Sequence, residues 1–239
     1  LVQAGKMAAL GELAAGIAHE LNQPLMGIRG YAQELQTMVM PEIHGKTREE
    51  AAAWFREVIS NVDKMSKIIG YLRTFTRKST EEHVMAGVQD AVEEALKMLS
   101  RQLASRGIEV VRDFASDVPQ VYANPLQLEQ VFINLVANAR DAIEATGRGK
   151  GTIVIRTRKR DGFVDVAVQD DGVGMDDVIK GKAFNPFFTT KEVGRGMGLG
   201  LSLSYGIVSK IHGSILVESR LGQGSTFTVR VPRDFRELG

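Results

Sequence analysis

The chain has 239 residues, of which 44% are hydrophobic and 25% charged, an ordinary globular composition with room for one large domain or two modest ones. Its 30 Lys and Arg against 29 Asp and Glu leave a formal charge of +1, which does not indicate a polyanion-coating surface and leaves only a local basic patch open; no nucleic-acid partner is expected. Cysteine is absent, so disulfides, thiol nucleophiles and cysteine metal sites are excluded; no apolar run approaches the roughly 18 residues of a membrane span.

The first segment reads as a long helix. Ala8, Leu10, Leu13, Ala14, Ile17, Ala18 and Leu21 give an apolar stripe at three and four spacings. The stripe resumes after Pro24 through Leu25, Ile28, Tyr31, Ala32 and Leu35, with a kink expected at the proline. A turn region from Met40 to Lys46 follows. A second helical pattern then runs from Phe55 through Ile59, Val62, Ile69 and Leu72 to Phe75. A lone helical hairpin cannot cover both stripes, so pairing of two copies into a four-helix bundle is expected; packing on the rest of the chain is the alternative.

The polar stretch 77–84 reads as a linker, which divides the chain into domains 1–80 and 87–239 joined by 81–86. The second domain opens with a helical pattern, Val88 to Leu103, then candidate strands at Ile108–Phe114 and Val118–Tyr122. Asn124–Pro125 is a helix start, with Asn as cap and Pro at the first helical position. That helix carries Leu128, Val131, Phe132, Leu135, Val136, Ala139 and Ile143, and stops by Gly147. Strands Thr152–Arg158 and Val164–Gln169 flank an Asp161–Gly162 turn. An irregular stretch, 170–200, precedes a helix from Leu201 to His212. Strands Ile215–Ser219 and Thr226–Val231 close an α/β sandwich of helices against a mixed sheet.

Glycine locates the chemistry. Of 25 glycines, 7 fall in residues 1–86 and 18 in residues 87–239. DDGVGM, residues 170–175, follows a strand. There Asp170 can receive an adenine amino group, and Gly172 and Gly174 let backbone approach the ring. GRGMGLGLS, residues 194–202, has glycine at every second position and opens onto a helix, an arrangement suited to phosphate. The chain has no GxxxxGK[ST] phosphate loop and no dinucleotide fingerprint. Asn138 offers a neutral oxygen for Mg²⁺ beside phosphates. Asn134, one turn earlier, also suits a polar network closing its helix onto the sheet, the role favoured for it. Lys191 and Arg195 can neutralise phosphate charge, and Arg140 and Asp141 flank the same helix face. Among four histidines, His19 interrupts an alanine-rich stripe and is followed at once by Glu20, a pairing suited to a nucleophile and its base.

In this order the motifs resemble the catalytic core of bacterial two-component sensor histidine kinases. GELAAGIAHELNQPL (11–25) is similar to the phosphoacceptor box, NLVANARDAI (134–143) to the N box and DDGVGM to the DxGxG box. FNPFFTTK (184–191) is similar to the F box, GRGMGLGLSLS (194–204) to the second glycine box and GQGSTFTVRVP (222–232) to the closing strand motif. The resemblance implies an ATP-binding domain of the Bergerat type behind the dimerising hairpin. It also implies that His19 carries the phosphoryl group, Glu20 acts as base, and Gln23 orients water for phosphatase action toward the partner. For ATP it implies Asn134, Asn138, Asp141, Asp170, Gly172, Gly174, Lys191, Arg195 and Thr226. It further implies that Gly196, Met197, Gly198, Leu199, Gly200 and Leu201 form a movable lid docked by Phe187, Phe188 and Thr190, and that Asn138 ligates Mg²⁺. Further implications are a homodimer, a separate response regulator receiver domain as acceptor, and a cytoplasmic place for this segment. The chain starts at Leu1 with helix under way, so a longer parent is expected, with an upstream sensor and room for an inner-membrane anchor. Competing readings are a chaperone- or topoisomerase-like ATPase, a non-catalytic dimeric signalling scaffold, and a serine kinase acting on an anti-sigma factor antagonist.

Overall fold

The computed structural model describes residues 25–37, 46–76, 82–191 and 198–238. The chain divides into two compact units, Leu1–Lys78 and Ser79–Gly239. In the first, helix α1, described over residues 25–37, packs with helix α2, Lys46–Thr76. Leu25 and Val62 are buried together, and Arg29 pairs with Asp63 at 3.1 Å. The hairpin by itself leaves large apolar groups outside, with Met26 and Tyr31 each 70% exposed and Trp54 65%. The kink at Pro24 and the 40–45 turn lie outside the described residues.

The second unit is a five-stranded sheet with helices on one face. Strands β2 (Ile108–Phe114), β4 (Gly151–Arg160), β5 (Phe163–Asp170), β7 (Gly224–Pro232) and β6 (Ser214–Arg220) lie in the order β2-β4-β5-β7-β6. Only β2–β4 is parallel. A separate antiparallel pair joins β1 (Val84–Ala86) to β3 (Val121–Ala123). Residues 84–86, read from sequence as the end of the linker, are therefore strand. Their backbone groups find partners on β3, which itself falls at 121–123 instead of 118–122.

Helix α4 (Pro125–Glu144) is the central helix of the layer. Asn124 caps it, its side chain accepting from the Gln127 amide at 2.9 Å, and Pro125 occupies the first turn, where a missing N–H costs nothing. Leu128, Val131, Phe132, Leu135, Val136, Ala139 and Ile143 are all buried. They pack with α3 (Val88–Ala104) and α6 (Gly200–Lys210) over the inner face of the sheet, whose core includes Ile153, Ile155, Val164, Val166 and Val168. Alternation places charged residues on the outer face: Arg158 meets Asp113 at 2.6 Å, and Arg230 meets Asp165 through two bonds of 2.8 Å. The stretch read as irregular contains a short helix, α5 (Asp177–Lys182), capped by Asp176 on the Ile179 amide. Among the described residues, no helix is long and apolar enough to cross a membrane.

Candidate nucleotide site

The inner end of β5 carries the most distinctive group. Asp170 is only 3% exposed, and its Oδ1 accepts from the Gly172 amide at 2.8 Å. Burial pushes its carboxyl up to about 6, only partly opposed by the backbone donors Gly172 and Ser225; Asp171 adds further upward pressure. A buried carboxylate with backbone amides and no cation among its described partners is set up to receive another neutral N–H donor.

The neighbouring glycines are required by the protein itself. A Cβ on Gly172 would lie 2.6 Å from the Ala142 carbonyl carbon on α4 and 2.7 Å from Asp170 Oδ1. Gly174 has φ +65°, and a side chain there would run into the Arg220 carbonyl oxygen. The strand-end loop is thus pressed between α4 and the β6–β7 turn. The Met175 amide donates to Ser219 Oγ at 2.8 Å, and Ser219 Oγ lies 2.9 Å from Ser225 Oγ.

Strand register moves one of the expected site residues. Asp170 is paired with Ser225, whereas Thr226 is paired with Gln169. Side chains alternate along a strand, so Ser225 lies on the inner face with Asp170 and Thr226 points to the outer face. Thr226, expected at the nucleotide, is thus on the face away from Asp170, and the hydroxyl residue beside Asp170 is Ser225, which is itself buried. The sequence held the signal: counting by twos from the buried Val229 and Phe227 reaches residue 225.

On α4 the two asparagines part company. Asn134 Nδ2 donates to the Gly200 carbonyl at 3.1 Å and to Ser204 Oγ at 3.2 Å, while its Oδ1 accepts from Gln130. Its amide is committed to joining α4 to α6. Asn138, one turn later, is half-buried, and its Oδ1 accepts from Lys191 Nζ at 3.3 Å. Lys191 also meets Asp141 Oδ2 at 2.5 Å, and Asp141 Oδ1 receives Arg140 Nε at 2.7 Å. Arg140 reaches on to Gln102 of α3. Asp141 is therefore placed between two cations.

The glycine segment is described from Gly198 onward. Gly198 has φ +65°, and a Cβ there would lie 2.5 Å from both the Phe187 carbonyl carbon and the Phe188 carbonyl oxygen. Phe187 is itself in the left-handed region, at φ 65°. Leu199 is buried and its carbonyl accepts from Ser202 Oγ at 2.9 Å; Gly200 and Leu201 open α6. Thr190 lies beside Lys191 at the near end of the segment. His19, Glu20 and Gln23, and Arg195, Gly196 and Met197, lie outside the described residues.

These residues fit ATP and Mg²⁺ in chemistry. Asp170, with no cation among its described partners, suits an amino-purine, and Gly172 at its side carries no Cβ to crowd the carboxylate. Asn138 supplies a neutral oxygen of the kind Mg²⁺ takes beside phosphates, and Lys191 a positive charge near it. Among the described residues no group of three His, Cys, Asp or Glu could hold a metal alone, so phosphate oxygens would have to supply most of the ligands.

A mixed sheet covered on one face by helices, with such a carboxylate at the end of a strand, defines an ATP-binding domain. In agreement, residues 123–234 match the family described as histidine kinase-, DNA gyrase B- and HSP90-like ATPase, and residues 9–81 match the His kinase A (phospho-acceptor) domain. The catalytic domain of histidine kinase ThkA superposes with a TM-score of 0.57 at 30% identity, over 65% of this chain and 99% of that one. The chain belongs to the bacterial two-component sensor histidine kinases, of which it contains the catalytic core. It is 34% identical to the signal transduction histidine-protein kinase AtoS of Escherichia coli (strain K12), over 97% of this chain. It is 37% identical to the C4-dicarboxylate transport sensor protein DctB of Rhizobium meliloti (strain 1021), over 98%. The chain spans 36% of the length of each of those two proteins.

Proposed function

We propose that the chain is an ATP-dependent protein-histidine kinase that phosphorylates His19 and passes the phosphoryl group to an aspartate of a response regulator receiver domain. The observation that carries this reading is Asp170, a buried carboxylate left with backbone donors at the mouth of an ATPase fold, in a chain whose other unit matches a phospho-acceptor domain. The adenine amino group would donate to Asp170, Asn138 would hold Mg²⁺, and Lys191 would face the phosphates. Bound Mg²⁺ supplies charge neutralisation on the phosphate oxygens.

His19 attacks the γ-phosphorus through one ring nitrogen, Glu20 accepts the proton of the imidazole, and the bond to the ADP oxygen breaks. The phosphoramidate so formed is reactive enough for onward transfer to a carboxylate. Positioning and charge neutralisation supply much of the rate. Gln23, four residues beyond His19, orients water for dephosphorylation of the regulator. The exposed Met26, Tyr31 and Trp54 of the hairpin are covered by a second copy, giving the four-helix bundle. Use of ATP and of a receiver domain places this segment in the cytoplasm.

Incubation with γ-labelled ATP tests the reading. The expected product is acid-labile, alkali-stable label on the chain, abolished by His19→Gln with ATP affinity unchanged. Rapid phosphate release with no label on the chain would instead support a chaperone- or topoisomerase-like ATPase.

A further inference from the structure

Lys191 and Asp141 carry an arrangement that ATP binding alone does not require. Asn138 and Asp141 are three residues apart on α4 and share a face, so one ammonium reaches both. Lys191 Nζ stands 2.5 Å from Asp141 Oδ2 and 3.3 Å from Asn138 Oδ1. The other Asp141 oxygen is taken by Arg140, which is itself tied to Gln102 of α3. Asp141 therefore does not project a bare carboxylate at an anionic ligand. It holds an ammonium in place, and that ammonium covers the oxygen assigned above to the metal.

We propose that Lys191 is an internal cation standing at the metal's oxygen, and that Asp141 is the positioning residue that keeps it there. This rests on the assignment of Asn138 to Mg²⁺ made above. A neutral amide oxygen cannot serve an ammonium and a divalent cation together, because the two positive charges would stand only a few ångströms apart. Lys191 would therefore have to leave Asn138 before that oxygen could hold Mg²⁺. The incoming phosphates give the ammonium a stronger partner than the amide. In nucleotide bound without metal, Lys191 takes over part of the metal's work on phosphate charge.

This assignment predicts a sign that a plain phosphate-binding lysine does not. Binding of adenylyl imidodiphosphate is measured by calorimetry across a range of free Mg²⁺, with no turnover involved. In Lys191→Met the metal-free affinity falls, and the Mg²⁺ concentration that half-restores tight binding also falls, by about tenfold, the worth of one hydrogen bond to a charged group. Lys191→Arg, which keeps the charge, stays close to the parent chain. Asp141→Asn moves the Mg²⁺ requirement in the same direction as Lys191→Met, by less. An unchanged or raised Mg²⁺ requirement in Lys191→Met, or a raised one in Asp141→Asn, overturns the proposal while leaving the kinase reading intact. Failure of the parent chain to bind the analogue at any Mg²⁺ concentration overturns both.

Discussion

Strand β5 carries two buried acids that the fold treats in opposite ways. Asp165, on the outer face, is gripped by both ends of the Arg230 guanidinium, with Arg160 3.4 Å away, and these hold its carboxyl below the usual carboxylate range. Asp170, five residues on and on the inner face, has backbone donors from Gly172 and Ser225, and burial drives its carboxyl up to about 6. The first has its charge answered by the fold, as a stabilising group does. The second is left short of a partner, at a cost, where the N–H of the proposed nucleotide would complete it.

The sharpest way to break this contrast is to remove each acid in turn and measure nucleotide binding. Asp170→Ala is expected to weaken ATP by about a hundredfold or more, since a site built to receive an N–H loses its acceptor. Asp165→Ala, on the far side of the sheet, should leave ATP affinity unchanged. Equal losses in the two variants would show that β5 responds as a whole and that Asp170 has no specific partner.

Stability should move the other way. The folded-state pKa of Asp170, about 6, lies above the unfolded value near 3.8, so ionisation opposes folding at every pH above 6. A rise from 3.8 to about 6 corresponds to roughly 3 kcal/mol, a penalty that shrinks as pH falls from about 6 to about 4 and vanishes below. Asp170→Asn is therefore expected to raise the midpoint of urea unfolding at about pH 8 and to leave it unchanged at about pH 4. For Asp165 the pKa is lowered, so its contribution is stabilising above about pH 4 and is lost as pH falls through the lowered value. Asp165→Asn should cost about 2 kcal/mol at about pH 8, the worth of a hydrogen-bonded charge pair. Urea curves that move alike for the two variants would remove the distinction.

The same carboxyl sets a pH limit on binding. Only ionised Asp170 keeps both oxygens free to accept, so ATP affinity should fall as pH drops through about 6, approaching tenfold per pH unit below it. Asp170→Asn should abolish that part of the profile. A slope that survives in the variant belongs to the phosphates.

Much of this geometry was local enough to be legible in the sequence. The cap at Asn124, the turn at Gly162 and the alternation of β4 and β5 each depend on residues close in the chain, and the structure shows all three. What escaped depends on distant pairing. Residues 84–86 are a strand only because β3 lies beside them. Thr226 and Ser225 are chemically alike; alternation along β7 tells which lies on the inner face, but only the pairing with β5 puts Ser225 beside Asp170. Lys191 and Asp141 both stand out in the sequence, but they are fifty residues apart and only the fold shows that they pair. Helix α5 was obscured by Gly181 and by its short length, six residues that bury no side chain of their own.

The smallest expected effect tests which hydroxyl of β7 stands beside Asp170. Ser225 and Thr226 are consecutive hydroxyls on β7, one on each face of the sheet, so substituting them compares the two faces at a single step along the strand. Ser225 Oγ is 2.9 Å from Ser219 Oγ, and Ser219 receives the Met175 amide at 2.8 Å and donates to the Gly224 carbonyl at 3.0 Å. Ser225→Ala removes one member of the network that fastens the 170–175 loop to the β6–β7 turn. A weakening of ATP by about fivefold is expected, near 1 kcal/mol for one neutral hydrogen bond. Thr226→Ala touches the outer face, where no described group belongs to the nucleotide site, and should leave affinity unchanged. Calorimetry on the two variants decides between the faces: a larger loss at Thr226 than at Ser225 would mean that the register places the wrong hydroxyl beside Asp170.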